Sequence, residues 1–371
     1  MSVDTLDPFS AIDRVDYEDQ RAPVDEARRQ LEICNACRYC EGYCSVFPAM
    51  TLHRAFSDGE VTQLANLCHN CRGCYYACQY TEPHEFALNL PKALAEVRVE
   101  SWERFIAPRG LSTLFQKQGV ALAGALVLAV ALLMAIALNL RPESGEGFYA
   151  YISHTIMLAV FIPASILPFV IVAIGVRHYW REVGGAPLKP AHLWSALVDA
   201  GRLKNLSGGA ADGCNYEKED RYTVARRWAH QAVMWGFLLC FASTASGTVL
   251  HYVFGMEAPY GPLSLPKLFG VPGGIMLTLG GIALAGLKLR ADKQLGAPAV
   301  WGGEMAFILL LTLTAATGLA LYWASGTPAV QPLLVTHLAA VLVLFLTLPF
   351  TKMVHAAFRL TALVRDAQTK R

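Results

Sequence analysis

The run Cys34-x2-Cys37-x2-Cys40-x3-Cys44 recurs with identical spacing as Cys68-x2-Cys71-x2-Cys74-x3-Cys78. Eight of the ten cysteines belong to this duplication. Three thiolates at two-residue intervals on a tight loop can cap three irons of one cubane. The fourth, a helical turn farther on, points away to the neighbouring cubane. The pattern therefore crosses the runs: Cys34, Cys37, Cys40 and Cys78 form one [4Fe–4S] site, and Cys68, Cys71, Cys74 and Cys44 the other. Zinc also accepts four thiolates, but commonly from separated pairs. A disulfide framework needs an oxidising compartment. The proline that usually closes such a run is absent; Ser45 and Gln79 stand in its place. Between the runs, FPAMTLHRAFSDGEVTQLANL reads as helix rather than as alternating strands. The expectation for residues 31–90 is a helical two-cluster ferredoxin-like domain. His69, between two ligands, is either an ordinary loop residue or one that tunes the adjacent cluster.

Composition points to the membrane for the rest. The chain is 54% hydrophobic and 16% charged, against about one-quarter charged in soluble domains. Residues 1–30 read as a polar arm with eight acidic residues and no secretory signal pattern. Residues 91–118 read as a linker suited to a membrane surface. Six apolar runs follow, at about 119–140, 154–176, 229–250, 270–289, 301–323 and 333–355. Twenty such residues rise about 30 Å as a helix, the thickness of a bilayer's hydrocarbon core. Lys and Arg number 21 in segments 98–118, 177–227, 288–300 and 352–371, and 2 in 141–153, 251–269 and 324–332. Six spans with both termini in the cytoplasm produce this split; five or seven would scramble it. The expected architecture is mainly α: the cluster domain, then a six-helix transmembrane bundle of cytochrome b type over 119–355, with a cytoplasmic loop 177–227 and a tail 356–371, in the inner membrane. A net charge of +2 gives no nucleic-acid footprint.

Six of the ten histidines fall at span ends. His154, His251 and His337 are on the outer side, and His178, His230 and His355 on the inner. Imidazoles at two depths suit the axial positions of one or two b-type haems. His337 and His355 are 18 residues apart, five full turns of one helix. His230 and His251, 21 apart, are about 60° out of register. The expected pairs are His251 with His337 and His230 with His355, and His154 or His178 could replace a partner in either. His53, His84 and His192 read as surface residues. Cys214 and Cys240 read as structural, and Glu304 as an interfacial carboxylate or a proton acceptor at a quinone site.

The segments CRYCEGYC, ANLCHNCRGCYYACQY, HEFALNLPKALAEVR and RRWAHQAVMWGFLLCFAST, in that order, resemble the tricarballylate utilization protein B family, the CitB-type 4Fe–4S membrane proteins. The resemblance covers nearly the whole chain. It implies an electron-transfer subunit that takes electrons from a separate FAD-dependent flavoprotein, tricarballylate dehydrogenase, and passes them to membrane quinone. The chain has no Gly-rich turn for binding a flavin itself. Two rival readings are a module for another dehydrogenase (heterodisulfide-reductase-like, or lactate/glycolate oxidase) and an iron–sulfur redox sensor.

Overall fold

The computed structural model describes residues 8–139, 151–207, 213–215, 221–256, 258 and 260–370. Its cysteine-rich part is built on helices α1 (Pro8–Cys37), α2 (Val46–Met50), α3 (Asp58–Leu67), α4 (Gly73–Tyr76) and α5 (Leu90–Phe105). Ser57 and Glu60 start α3 with reciprocal bonds: Glu60 N donates to Ser57 Oγ, and Ser57 N donates to the Glu60 carboxylate. Asn89 caps α5 by accepting from Lys92 N at 3.2 Å, and Pro91 stands in its first turn. Leu31, Met50, Val61, Leu64, Leu67, Leu94 and Val97 close one apolar core between α1, α2, α3 and α5.

Two expected boundaries move. The division at residue 30 falls inside α1, which runs to Cys37. The expected linker 91–118 divides into α5, which packs on α1 and α3 and buries Trp102, and the start of α6 (Arg109–Asn139). Trp102, Ile106 and Phe115 of this stretch are buried in the protein, while Leu111 and Leu114 are exposed.

Among the described residues six helices are long and apolar enough to cross a membrane. They are α6, α7 (His154–Glu182), α9 (Ala225–Phe254), α10 (Leu265–Arg290), α11 (Trp301–Trp323) and α12 (Val330–Thr347, extended by one turn to Phe350). Between α7 and α9 lie α8 (Pro190–Arg202) and the short antiparallel pair β1 (Cys214–Asn215) and β2 (Tyr222–Thr223). Helices α9, α10, α11 and α6 pack in succession, and α12 joins α6, α11 and α7. Small residues make the closest crossing. A Cβ on Gly236 of α9 would lie 2.6 Å from Leu277 N of α10, and one on Gly280 would lie 2.9 Å from Ala232 Cβ.

The sixth apolar run is not one helix. Helix α12 ends at Thr347, a 3-10 turn follows over Leu348–Phe350, and α13 (Val354–Thr369) starts afresh. Pro349 supplies no amide hydrogen to continue the ladder. His337 and His355 therefore stand on different helices, and the five-turn register expected between them does not exist. The expected tail is α13 itself, which buries Phe358, Ala362, Leu363 and Val364 against α3, α7 and α8.

Candidate functional site

The two cysteine runs repeat in backbone as well as in spacing. Helix α1 ends at Cys37, and Arg38 turns the chain with φ 56°. Arg72, at the equivalent place after Cys71, has φ 68°. These left-handed residues are costly away from Gly. Here they curl each run so that its first three thiols share a hollow. Cys34, Cys37, Cys40 and Cys78 line one cavity, and Cys74 lines it too. Cys44, Cys68, Cys71 and Cys74 line the other. The fourth cysteine of each run thus stands with the first three of the other. Amides already serve the sulfurs: Asn70 N donates to Cys68 Sγ and Tyr80 N to Cys78 Sγ, both at 3.3 Å.

Burial, reinforced by crowding from Cys78 and Cys40, pushes the Cys34 thiol up to about 12. Burial likewise pushes Cys71 to about 12 and holds Cys44 and Cys74 well above the usual thiol range. Sulfurs so placed are stable as thiolates only around a strongly cationic centre. Among the described residues no three His, Cys, Asp or Glu groups close around a point as a single ion requires. The second cavity offers an independent test. Arg72 lines it at 7% exposure, and its Nε and Nη1 have no hydrogen-bond partner. A buried, unpartnered guanidinium beside four cysteines fits an anionic occupant, and a thiolate-ligated cluster is one.

Sequence reading missed the arginines around this second cavity. Arg98 Nη1 donates to Cys68 O at 2.5 Å, and Arg359 Nη2 donates to the same oxygen at 2.6 Å. Arg226 Nη1 donates to Asn70 O at 2.9 Å. Arg72 could have been noticed inside the motif; Arg98, Arg226 and Arg359 arrive from three other helices and carry no local signal.

The histidines group by end. His230 of α9 and His355 of α13 face each other with ring centroids 6.0 Å apart and planes at 88°. An iron held between two imidazoles, at about 2 Å from each nitrogen, sets the rings roughly 6 Å apart. His230 Nδ1 is buried without a partner, and burial keeps His355 neutral, the form that ligates. The pair fits a bis-histidine iron. At the other end His251 of α9 meets His154 of α7, with centroids 5.1 Å apart. His154, which the sequence allows as a substitute partner, is thus the imidazole in ring contact with His251. His337 Nδ1 is instead held across α11 by Thr314 O at 3.1 Å and Thr317 Oγ1 at 3.2 Å. Its Nε2 is left available, the arrangement that orients ligating histidines. His178 is exposed.

Glu304 lies between Lys288 and Lys352, bonded to both. Two ammonium groups make it a structural clamp joining α10 and α11 to the turn before α13, and leave it poorly placed to accept a proton. Cys214 is buried beside Cys71, its thiol 3.2 Å from Leu206 O, and Asn215 N donates to Cys71 O at 2.8 Å. Cys240 is a partly buried core residue of the bundle.

Two family sequence models match the chain. Residues 27–103 match the citrate utilization protein B Fer4-like domain, and residues 109–371 match citrate utilization protein B. Citrate utilization protein B of Escherichia coli is 40% identical over 354 residues, covering 94% of this chain and 93% of that one. No solved structure matches. With its Fer4-like domain followed by six helices able to span a membrane, the chain belongs to the citrate utilization protein B family.

Proposed function

We propose that this protein is a membrane electron conductor of two [4Fe–4S] clusters and b-type haem, delivering electrons from a reduced flavoprotein to the quinone pool. The observation that carries the reading is the crossing of the cysteine runs: Cys78 lines the cavity of Cys34, Cys37 and Cys40, and Cys44 that of Cys68, Cys71 and Cys74. The clusters and haem, when bound, supply one-electron carriers; the residues hold them in series. Cys34, Cys37, Cys40 and Cys78 hold one cluster and Cys68, Cys71, Cys74 and Cys44 the other. His230 and His355 hold the inner haem. His251 holds the outer one, with its second ligand from His154 by contact or from His337 by its preset tautomer. The donor is an FAD-dependent dehydrogenase resembling tricarballylate dehydrogenase, docked on the cytoplasmic face. Its substrate class agrees with the name of the E. coli relative, since citrate and tricarballylate are both tricarboxylates.

Spectroscopy of the anaerobically purified chain tests this. About eight non-haem irons and eight sulfides are expected, with the sharp α-band of six-coordinate b-haem after reduction. His230→Ala or His355→Ala removes one component of that band. His251→Ala removes the other, and comparison of His154→Ala with His337→Ala identifies its second ligand. Stoichiometric zinc without labile sulfide would sink the proposal.

A further inference from the structure

The two cavities differ in what surrounds them. The first opens on exposed loops: Tyr39 is 69% exposed, and Arg38, Glu41, Glu82 and Glu85 are exposed on the segments that carry its cysteines. The second is covered by the connection between α7 and α9, with Asn205 in its lining and Asn215 N bonded to Cys71 O. It collects four guanidiniums, those of Arg72, Arg98, Arg226 and Arg359. Arg72 and Arg98 are buried. One helical turn of α13 separates Arg359 from His355, about 5–6 Å between Cβ atoms.

Resting on the conductor reading above, we infer that the site on Cys68, Cys71, Cys74 and Cys44 is the exit of the electron path, its reduction potential held above that of the Cys34 site by the four-arginine shell. An added electron costs less where fixed positive charge is close, and scarce water strengthens that attraction. Among the described residues only the second site has that surrounding, and its loop is hydrogen-bonded to Arg226 and Arg359, each one helical turn from a member of the His230–His355 pair. Each electron moving from the first site to the second oxidises the one by a single equivalent and reduces the other by the same, with no bond made and no proton moved. The flavoprotein supplies the electrons one at a time, and quinone removes two with two protons.

Arg98 and Arg359 also satisfy carbonyls at the end of α3, those of Ala65, Asn66 and Cys68. A purely structural role must therefore be separated from a redox one. The experiment is a redox titration of the full chain in detergent, followed by electron paramagnetic resonance. Cys37→Ser and Cys71→Ser assign each signal to its site. The second site should titrate at the higher potential. Arg72→Gln and Arg359→Gln should move its midpoint negative and leave the first site's in place, and Arg72→Lys should restore it. Arg72 Nε and Nη1 have no partner among the described residues, so its variant tests the charge apart from the carbonyl bonds that Arg98 and Arg359 make. A higher potential at the first site, equal shifts at both, or no shift in Arg72→Gln would overturn the inference and leave the conductor reading standing. Loss of labile sulfide from the unaltered chain would instead overturn that reading itself.

Discussion

At the scale of single residues the cysteines were legible because a ligand run is local: spacing alone decides which sulfurs share a loop. The crossing has a direct consequence. Cys78→Ser should abolish the resonance of the Cys34 site while sparing that of the Cys68 site, and Cys44→Ser should do the reverse; loss confined to each variant's own run would refute the crossed arrangement. Glu100 was not legible, because its surroundings come from α7 and its own helix together. Burial pushes its carboxyl up from 4.5 to about 7, against the pull of Arg104 and with help from Glu182 and Glu103. Between those values the folded protein holds a proton that the unfolded chain has released. The stability this group contributes is thus complete below about pH 4.5 and is lost as pH rises through about 7. Arg104 keeps a bidentate grip on Glu182, at 2.6 and 2.7 Å, whatever stands at position 100. Glu100→Gln should therefore raise Tm in detergent at pH 8 by a few degrees, on the order of 1 kcal/mol, and leave it unchanged near pH 4.5. A lower Tm at pH 8 would mean that the Glu100–Arg104 pair outweighs the cost of burial.

Among the elements, the six spans showed in the sequence because a bilayer demands length and apolarity, both of which are readable residue by residue. What joins the elements did not. The α3–α7 contact depends on Gly59, where a Cβ would sit 2.3 Å from Glu182 O. Tyr179 Oη donates to Gln63 Oε1 at 2.7 Å, and Gln63 Nε2 donates to Ala362 O at 2.8 Å, fastening α3, α7 and α13 together. Gly59→Leu forces backbone apart and should cost roughly 1–3 kcal/mol, seen as faster proteolysis between the cysteine domain and α6, with the haem band intact. Gly236→Leu should do the opposite, opening the α9–α10 crossing and disturbing His230 and His251 on the same helix while sparing iron–sulfur content. The broken sixth run shows the limit of periodicity. A count of 18 residues between His337 and His355 looks like five turns, but Pro349 interrupts the ladder that the count assumes. His355 meets His230 because α13 starts anew.

The whole molecule is arranged around one of its two ends. Helices α7 and α10 finish there, α9 and α11 begin there, and the cysteine domain is fastened to the same end by Arg104–Glu182, Gln63–Tyr179, Arg226–Asn70 and Arg359–Cys68. Among the described residues, that end also carries 19 of the 20 Lys and Arg residues in the segments flanking the apolar runs. Packing and charge thus point to one face by separate physics: the first from side-chain contacts, the second from the excess of cations that the cytoplasmic side retains. The proposed orientation has the cysteine domain and both termini in the cytoplasm. Reporter fusions after Leu206, Lys293 and Lys370 should then be active only as cytoplasmic reporters, and fusions after Gly261 and Gln331 only as periplasmic ones. The Lys293 fusion is the most informative, since α10 is the Gly-rich span whose failure to cross would invert everything after it. If Lys293 reported the periplasm, Arg226 and Arg359 would lie on opposite sides of the membrane. They could not then both bond the loop of Cys68 and Asn70, and the path from the second cavity to His230 and His355 would be lost with them.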